Sequence, residues 1–102
     1  MKFNNETIRE AVKEWLEDAS KSESKYGHIS SWDTSEVTDM SNLFQWAKDF
    51  NDDIGNWDVS NVFYMAEMFC WVESFNQDIG RWDVSKVKEM VARLDWWGWL
   101  KI

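Results

Sequence analysis

Apolar and polar positions follow a helical period at the start of the chain. Between residues 4 and 21 the apolar side chains fall at i, i+4, i+7, i+8 and i+11, namely Ile8, Val12, Trp15, Leu16 and Ala19. Charged side chains occupy the other face, which is the pattern of an amphipathic helix. Asn4 or Asn5 stands where an N-cap is expected. The pattern predicts one helix over 4–21, followed by a polar loop over 21–27.

From Trp32 onward the pattern repeats every 25 residues. A Trp-Asp pair begins at Trp32, Trp57 and Trp82. Apolar positions recur in step with it, in the sets Val37, Val62 and Val87; Met40, Met65 and Met90; Phe44, Phe69 and Leu94; Phe50, Phe75 and Leu100. A fixed period of roughly 20–50 residues is typical of a solenoid, in which each unit buries its apolar side against the next.

Each repeat is predicted to contain a short strand and a short helix. Asp-Ile-Gly running into Trp-Asp-Val-Ser indicates a strand and a turn, and the spacing of Met-x-x-Leu/Met-Phe indicates one or two helical turns. Asp33, Asp58 and Asp83 each precede a serine by two positions, so their carboxylates are expected to bind turn amides. We predict a single α/β domain over 1–102, with a cap helix and link in 1–26 and about three repeats in 27–102.

Composition and charge restrict the partners. The chain has 102 residues, and 11 Lys+Arg against 19 Asp+Glu give a net charge of -8. Nucleic acid and anionic membrane surfaces are therefore unfavourable partners. No apolar run approaches the ~18 residues of a membrane span, and the N-terminal residues lack the apolar stretch of a signal peptide.

Few residues in the chain are candidates for catalysis or metal binding. Cys70 is the one cysteine and His28 the one histidine, and neither has a partner at a recognisable spacing for nucleophilic catalysis or a zinc site. The repeated carboxylates of Asp33, Asp58 and Asp83 suit a calcium ladder as well as turn capping, and we favour the capping. We expect no cofactor and no enzyme activity.

The phrases FNDDIGNWDVSNV and FNQDIGRWDVSKV, the first of them followed by Met-x-x-Met-Phe, carry a family resemblance. They are similar to the BspA-type leucine-rich repeats of bacterial and algal surface proteins, over residues 26–94. The resemblance implies a short leucine-rich-repeat-like solenoid with an N-terminal amphipathic capping helix. It also implies a cell-surface or secreted setting and a role in adhesion or protein binding rather than catalysis.

Several residues depart from the family pattern, and the departures cluster. Trp46, Trp71 and Trp96 stand where a small residue, often glycine, is usual in units of that family. The second repeat unit, which contains the Trp57-Asp58 pair, also carries Phe63 and Tyr64 where the family pattern has polar residues. This clustering suggests that design or selection introduced an aromatic surface on a repeat protein.

Equivalent positions in a repeat share an environment, which predicts exposure. Thr38 and Lys88 occupy the position of Phe63 in the other units. Because charged side chains are seldom buried without a partner, Phe63 and its neighbour Tyr64 are expected to face solvent. On a helical segment they would share a face with nearby residues of unit two. The predicted protein-binding residues are Phe63, Tyr64, Glu67, Cys70, Trp71, Trp46, Trp96 and Trp97.

Two structural alternatives stay open for the tryptophans. A recurring aromatic is often a core residue, so Trp46, Trp71 and Trp96 have burial as an equal alternative. Trp96, Trp97 and Trp99 are also placed to cover the end of the repeat stack.

An exposed aromatic patch of this kind normally marks an interaction surface. We expect a non-enzymatic binding module that buries the patch in a hydrophobic groove of another protein, with basic residues at the groove's rim, and that blocks the partner's own function where that groove is functional. A carbohydrate-binding or adhesion domain that stacks indoles on sugar rings is the alternative. Self-association through the patch is a further outcome.

Overall fold

The computed structural model describes residues 2–88. Helix α1 spans Asn5–Glu17, helix α2 spans Ala19–Tyr26, and a 3-10 turn spans Ile29–Ser31. The rest of the described chain consists of turns and extended segments that carry the first two repeat units and the start of the third.

The prediction of an α/β leucine-rich-repeat-like solenoid is wrong. Within residues 2–88 the chain forms two α-helices and no strand or sheet. Backbone pairing is limited to isolated parallel bridges, which join Lys2 to Asp33 and Asp39 to Tyr64. Within residues 27–88 the segments predicted as short strands and short helices are turns or irregular backbone, and the helix predicted for the third repeat lies outside the described residues.

Left-handed residues explain why helical spacing in the repeats does not produce helices. In the first unit, turns are closed by bonds to the carbonyl three residues earlier, donated by Leu43, Gln45 and Ala47. Asn42 and Trp46 lie inside this run at φ 64° and 71°, and their equivalents Glu67 and Trp71 lie at 58° and 63°. A residue in the left-handed region interrupts a right-handed helix, so each turn ends before a helix can extend.

Alternate backbone amides of the same run hold the units together. The N–H groups of unit one donate to carbonyls of unit two at 2.8–3.0 Å, in the pairs Met40 to Tyr64, Asn42 to Ala66, Phe44 to Met68 and Trp46 to Cys70. Since the amides between them close turns, the ladder joins units without forming a continuous strand. The two units therefore stack in parallel and in register.

Aromatic rows fill the core between the units. Trp32 stacks on Trp57 with ring centroids 6.3 Å apart, and Phe44 stacks on Phe69 at 5.9 Å. All four rings are buried, as is Trp82 in the third unit. The tryptophans that begin the Trp-Asp pairs are therefore core residues, and the indole N–H of Trp57 donates to the carbonyl of Ile29 at 2.8 Å.

Helix α1 covers the first unit. Its buried face consists of Ile8, Ala11, Val12 and Trp15, and the Trp15 ring meets Trp32 edge-on at 5.9 Å. Asn4 is the N-cap, with its side-chain oxygen accepting from the N–H groups of Glu6 and Thr7.

The single helix predicted over 4–21 is two helices, and the predicted loop over 21–27 is mostly α2. Asp18 ends α1 in an extended conformation (φ -157°) and caps α2 through its side chain. Leu16 in α1 and Ala19 at the start of α2 are exposed and do not belong to the predicted buried face. Tyr26 then donates to Glu14 at 2.6 Å, which ties α2 back to α1 and holds the pKa of Glu14 below its ordinary value.

Candidate binding surface

Trp46 and Trp71 form a stacked pair on the surface of the repeats. Their rings lie 5.7 Å apart with an interplanar angle of 5°. The side chains are 66% and 46% exposed, so the structure favours exposure over the alternative of burial at these two positions. Paired indoles at this distance and angle present a flat apolar surface to solvent.

The backbone beneath this pair is left-handed, with φ of 71° at Trp46 and 63° at Trp71. Residues with a Cβ adopt this region at a cost of roughly 1–2 kcal/mol, whereas glycine adopts it freely. The unusual replacement of a small residue by tryptophan was thus a sequence signal for a special backbone position. The inter-unit bond from the Trp46 N–H to the Cys70 carbonyl, at 2.9 Å, holds that conformation.

Phe63 and Tyr64 lie at the surface, as predicted from their repeat equivalents. They are 37% and 42% exposed. The Lys88 ammonium lies over both rings, 5.9 Å from the Phe63 centroid and 5.7 Å from that of Tyr64. Backbone bonds from Phe63 N–H to Thr38 and from Lys88 N–H to Phe63 fix the segment between its neighbours.

The prediction that Phe63 and Tyr64 share a helical face with Glu67, Cys70 and Trp71 is wrong, because residues 63–71 form extended backbone and turns and not a helix. Phe63 and Tyr64 precede the buried Met65, and Trp71 follows the buried Phe69. The aromatic surface is therefore described as two pairs, Trp46–Trp71 and Phe63–Tyr64.

The remaining predicted contact residues have different surroundings. Glu67 is half-buried and its carboxylate accepts from the Asn42 amide at 3.2 Å. Cys70 is a half-buried free thiol. Trp96, Trp97 and Trp99 lie outside the described residues. The cover of the repeat end that was predicted for these three tryptophans lies there as well.

Asp33, Asp58 and Asp83 bind turn amides as predicted. Each accepts from the N–H of the serine two residues later, at 3.0–3.1 Å. The serine hydrogen bonds hold the pKa of all three carboxyl groups below their ordinary value, the hydroxyl making the larger contribution. No group of three or more acidic, histidine or cysteine side chains in residues 2–88 is arranged to hold a metal ion.

A groove beside Trp46 was missed by sequence reasoning. It has a volume of about 450 Å³ and lies between α1 and the turn that follows Trp46, lined by Trp15, Leu16, Ala19, Gln45, Trp46, Ala47, Lys48, Asp49, Phe50 and Asp52. The lining residues form two groups, within 15–19 and 45–52, that are more than 25 positions apart in sequence, so the packing of the helices on the first unit brings them together. The apolar Leu16 at the edge of the helical stripe was the one available signal.

No helix in the described part of the chain is long and apolar enough to cross a membrane. Searches of curated proteins and of solved structures found no match to this chain. The model of one family, described as "Mycoplasma protein of unknown function, DUF285", matches residues 4–94. The match includes the N-terminal helices and the repeats, and the chain belongs to the DUF285 family.

Proposed function

We propose that this chain is a non-enzymatic protein-binding module that uses its surface aromatic pairs to contact a partner. The observation that carries the proposal is the Trp46–Trp71 stack, in which two indoles are partly exposed to solvent on backbone that favours glycine. Exposed rings on left-handed backbone contribute little to the stability of the folded chain. Binding gains more, because exposed aromatic patches typically mark interaction sites.

The energetics of aromatic burial favour a contact role. A tryptophan or tyrosine buries roughly 150–250 Å² with few rotatable bonds, and such residues dominate binding hot spots at about 2 kcal/mol or more each. Trp46 and Trp71 are already held in place by stacking and by the inter-unit backbone bonds. The entropy lost on binding is therefore smaller than for two independent side chains.

The partner we propose is a protein with a hydrophobic groove and a basic rim. The net charge of -8 favours approach of a positively charged surface. The setting we propose is that of the BspA-type repeats on cell surfaces, with binding that blocks the partner where the groove is functional. We further propose that the tryptophan pair was introduced on a natural repeat by design or selection, because glycine suits both positions better.

The test is partner capture with a protein array, followed by affinity measurement on the purified partner. The double variant Trp46→Gly/Trp71→Gly removes the stack while suiting the left-handed backbone, and Glu23→Gln on α2 is the surface control. We expect the double variant to lose at least about tenfold in affinity and the control to keep it. Equal affinity in all three proteins would contradict the proposal.

Self-association is separated from partner binding by sedimentation. If the stack serves a second copy of the chain, the parent sediments as a dimer and the double variant as a monomer. We expect both to be monomeric, since the proposed surface fits a groove on another protein.

A carbohydrate-binding function is the second candidate. Indole faces bind sugar rings by stacking, and Trp46 lines the groove together with Asp49 and Asp52. This candidate predicts that oligosaccharides change the indole N–H signals of Trp46 and Trp71 in ¹H–¹⁵N spectra of the parent. Unchanged signals across an oligosaccharide panel would remove it.

A further inference from the structure

The groove beside Trp46 has the size and shape of a side-chain binding site. Its volume of about 450 Å³ falls within the roughly 300–1,000 Å³ of ligand sites in proteins. Trp15 and Phe50 are buried beneath it, while Trp46 and Leu16 are exposed at its sides. A ligand in the groove would therefore contact apolar surface on several sides.

One face of the Trp46 indole is available to this groove. Trp71 from the next unit stacks on the indole, whereas α1 covers the first unit from the opposite direction. The groove lies between α1 and Trp46. The face of Trp46 that Trp71 does not cover is therefore the face toward the groove.

Two carboxylates line the same groove as that indole. Asp49 and Asp52 line the groove together with Lys48. Trp15 donates its indole N–H to Asp52 at 2.9 Å, which holds this carboxylate at the groove. Two acids against one base, on a chain of net charge -8, favour a cation and disfavour an anion.

Ammonium groups of the described chain lie over aromatic rings at two other places. Lys88 lies over Phe63 and Tyr64, and Lys25 lies 5.0 Å from the centroid of Tyr26. Among residues 2–88 no lysine or arginine lies in this way over Trp46. Tryptophan is the aromatic side chain with the strongest attraction for cations. The Trp46 ring is therefore well suited to a cation that a ligand brings to the groove.

We infer that the groove binds an arginine or lysine side chain of a partner protein. The aliphatic stem packs against Leu16, the cationic group lies over the Trp46 indole, and Asp49 and Asp52 attract its charge. This inference rests on the proposed function and specifies the partner's chemistry: a protruding basic residue beside the hydrophobic surface that meets the tryptophan stack.

The test is a ¹H–¹⁵N titration of the full chain with the capped peptide acetyl-Leu-Arg-Gly-Gly-amide, observed at the Trp46 indole N–H. The matched ligand has citrulline in place of arginine, which keeps the shape and removes the charge. We expect the citrulline peptide to bind about tenfold more weakly. Asp49→Asn should weaken arginine binding about two- to fivefold, and Lys48→Gln should strengthen it by a similar factor.

Three results would overturn the inference. They are equal binding of the arginine and citrulline peptides, no effect of either charge variant, and absence of arginine-peptide binding at millimolar concentration. An oligosaccharide that shifts Trp46 when the peptide does not would assign the groove to sugars. If the double tryptophan variant loses affinity for the purified partner while Asp49→Asn and Lys48→Gln leave that affinity unchanged, the proposed function stands and the cation site fails.

Discussion

At the scale of single residues, the left-handed positions make the sharpest distinction between structural and surface roles. Trp46 and Trp71 occupy a conformation that costs a residue with a Cβ roughly 1–2 kcal/mol. The core tryptophans occupy ordinary backbone; Trp57, for example, is buried with its indole N–H bonded. The same residue type thus serves two different purposes within one repeat.

Glycine and alanine at position 46 test the strain directly. Both Trp46→Gly and Trp46→Ala delete the indole, but only glycine suits φ 71°. We expect the glycine variant to be more stable than the alanine variant by about 1 kcal/mol, from urea unfolding. Equal stability, or a more stable alanine variant, would mean that the backbone at this position is not left-handed in solution.

The turn carboxylates predict a pH dependence. Hydrogen bonds from Ser60 hold the pKa of Asp58 below its ordinary value in the folded chain. A lowered folded pKa stabilises the fold above the unfolded pKa of about 3.9, and this stabilisation is lost as pH falls through the folded pKa. Asp58→Asn retains an oxygen acceptor but does not titrate.

The free energy of unfolding of Asp58→Asn should therefore fall less steeply than that of the parent between about pH 5 and pH 3. The measurement is a series of urea titrations across this range. Parallel curves for the two proteins would show that the Asp58 carboxylate contributes nothing through its charge.

At the scale of elements, the junction between α1 and the first unit depends on Asn5. Its side-chain oxygen accepts from the Thr38 N–H at 2.8 Å, and its amide donates to the Thr38 hydroxyl at 2.9 Å. In the next unit the Thr38 carbonyl accepts from Phe63. Thr38 in the first unit thus donates its N–H to the Asn5 side chain, whereas Phe63 in the second unit donates its N–H to a carbonyl of the unit before it.

Asn5→Ala should reduce the free energy of unfolding by about 1 kcal/mol, because the half-buried Thr38 amide loses its partner. Alanine is the better helix former, so helix propensity cannot account for a loss. Asn5→Asp retains the acceptor and is the control. An Asn5→Ala protein as stable as the parent would contradict the linking role proposed for Asn5.

The elements were only partly predictable from the sequence. The apolar stripe located α1, and Asn4 was one of two candidate caps. The break at Asp18 was missed because the helical charge pattern continues across it. Within the repeats, spacings of three and four indicated helices, yet the same spacings arise from successive turns, and only the left-handed residues distinguish the two.

At the scale of the whole molecule, the 25-residue period correctly identified which residues are equivalent, but the assignment of strands and helices to them failed. Stacked pairs such as Phe50 and Phe75, with ring centroids 5.8 Å apart, follow from the register of the units. Exposure of Phe63 followed from the polar residues at its equivalents. The groove beside Trp46 could not be predicted, because it requires knowledge of where α1 packs.

The central claim is that the Trp46–Trp71 stack lies outside the folding core. Urea unfolding of Trp46→Gly/Trp71→Gly beside Phe69→Ala tests it most directly. Phe69 is stacked and buried, and its truncation should cost about 3–5 kcal/mol. The double variant should cost less than about 2 kcal/mol, because the lost stacking is offset by relief of the left-handed strain. A loss as large as that of Phe69→Ala would show that the tryptophan pair belongs to the core.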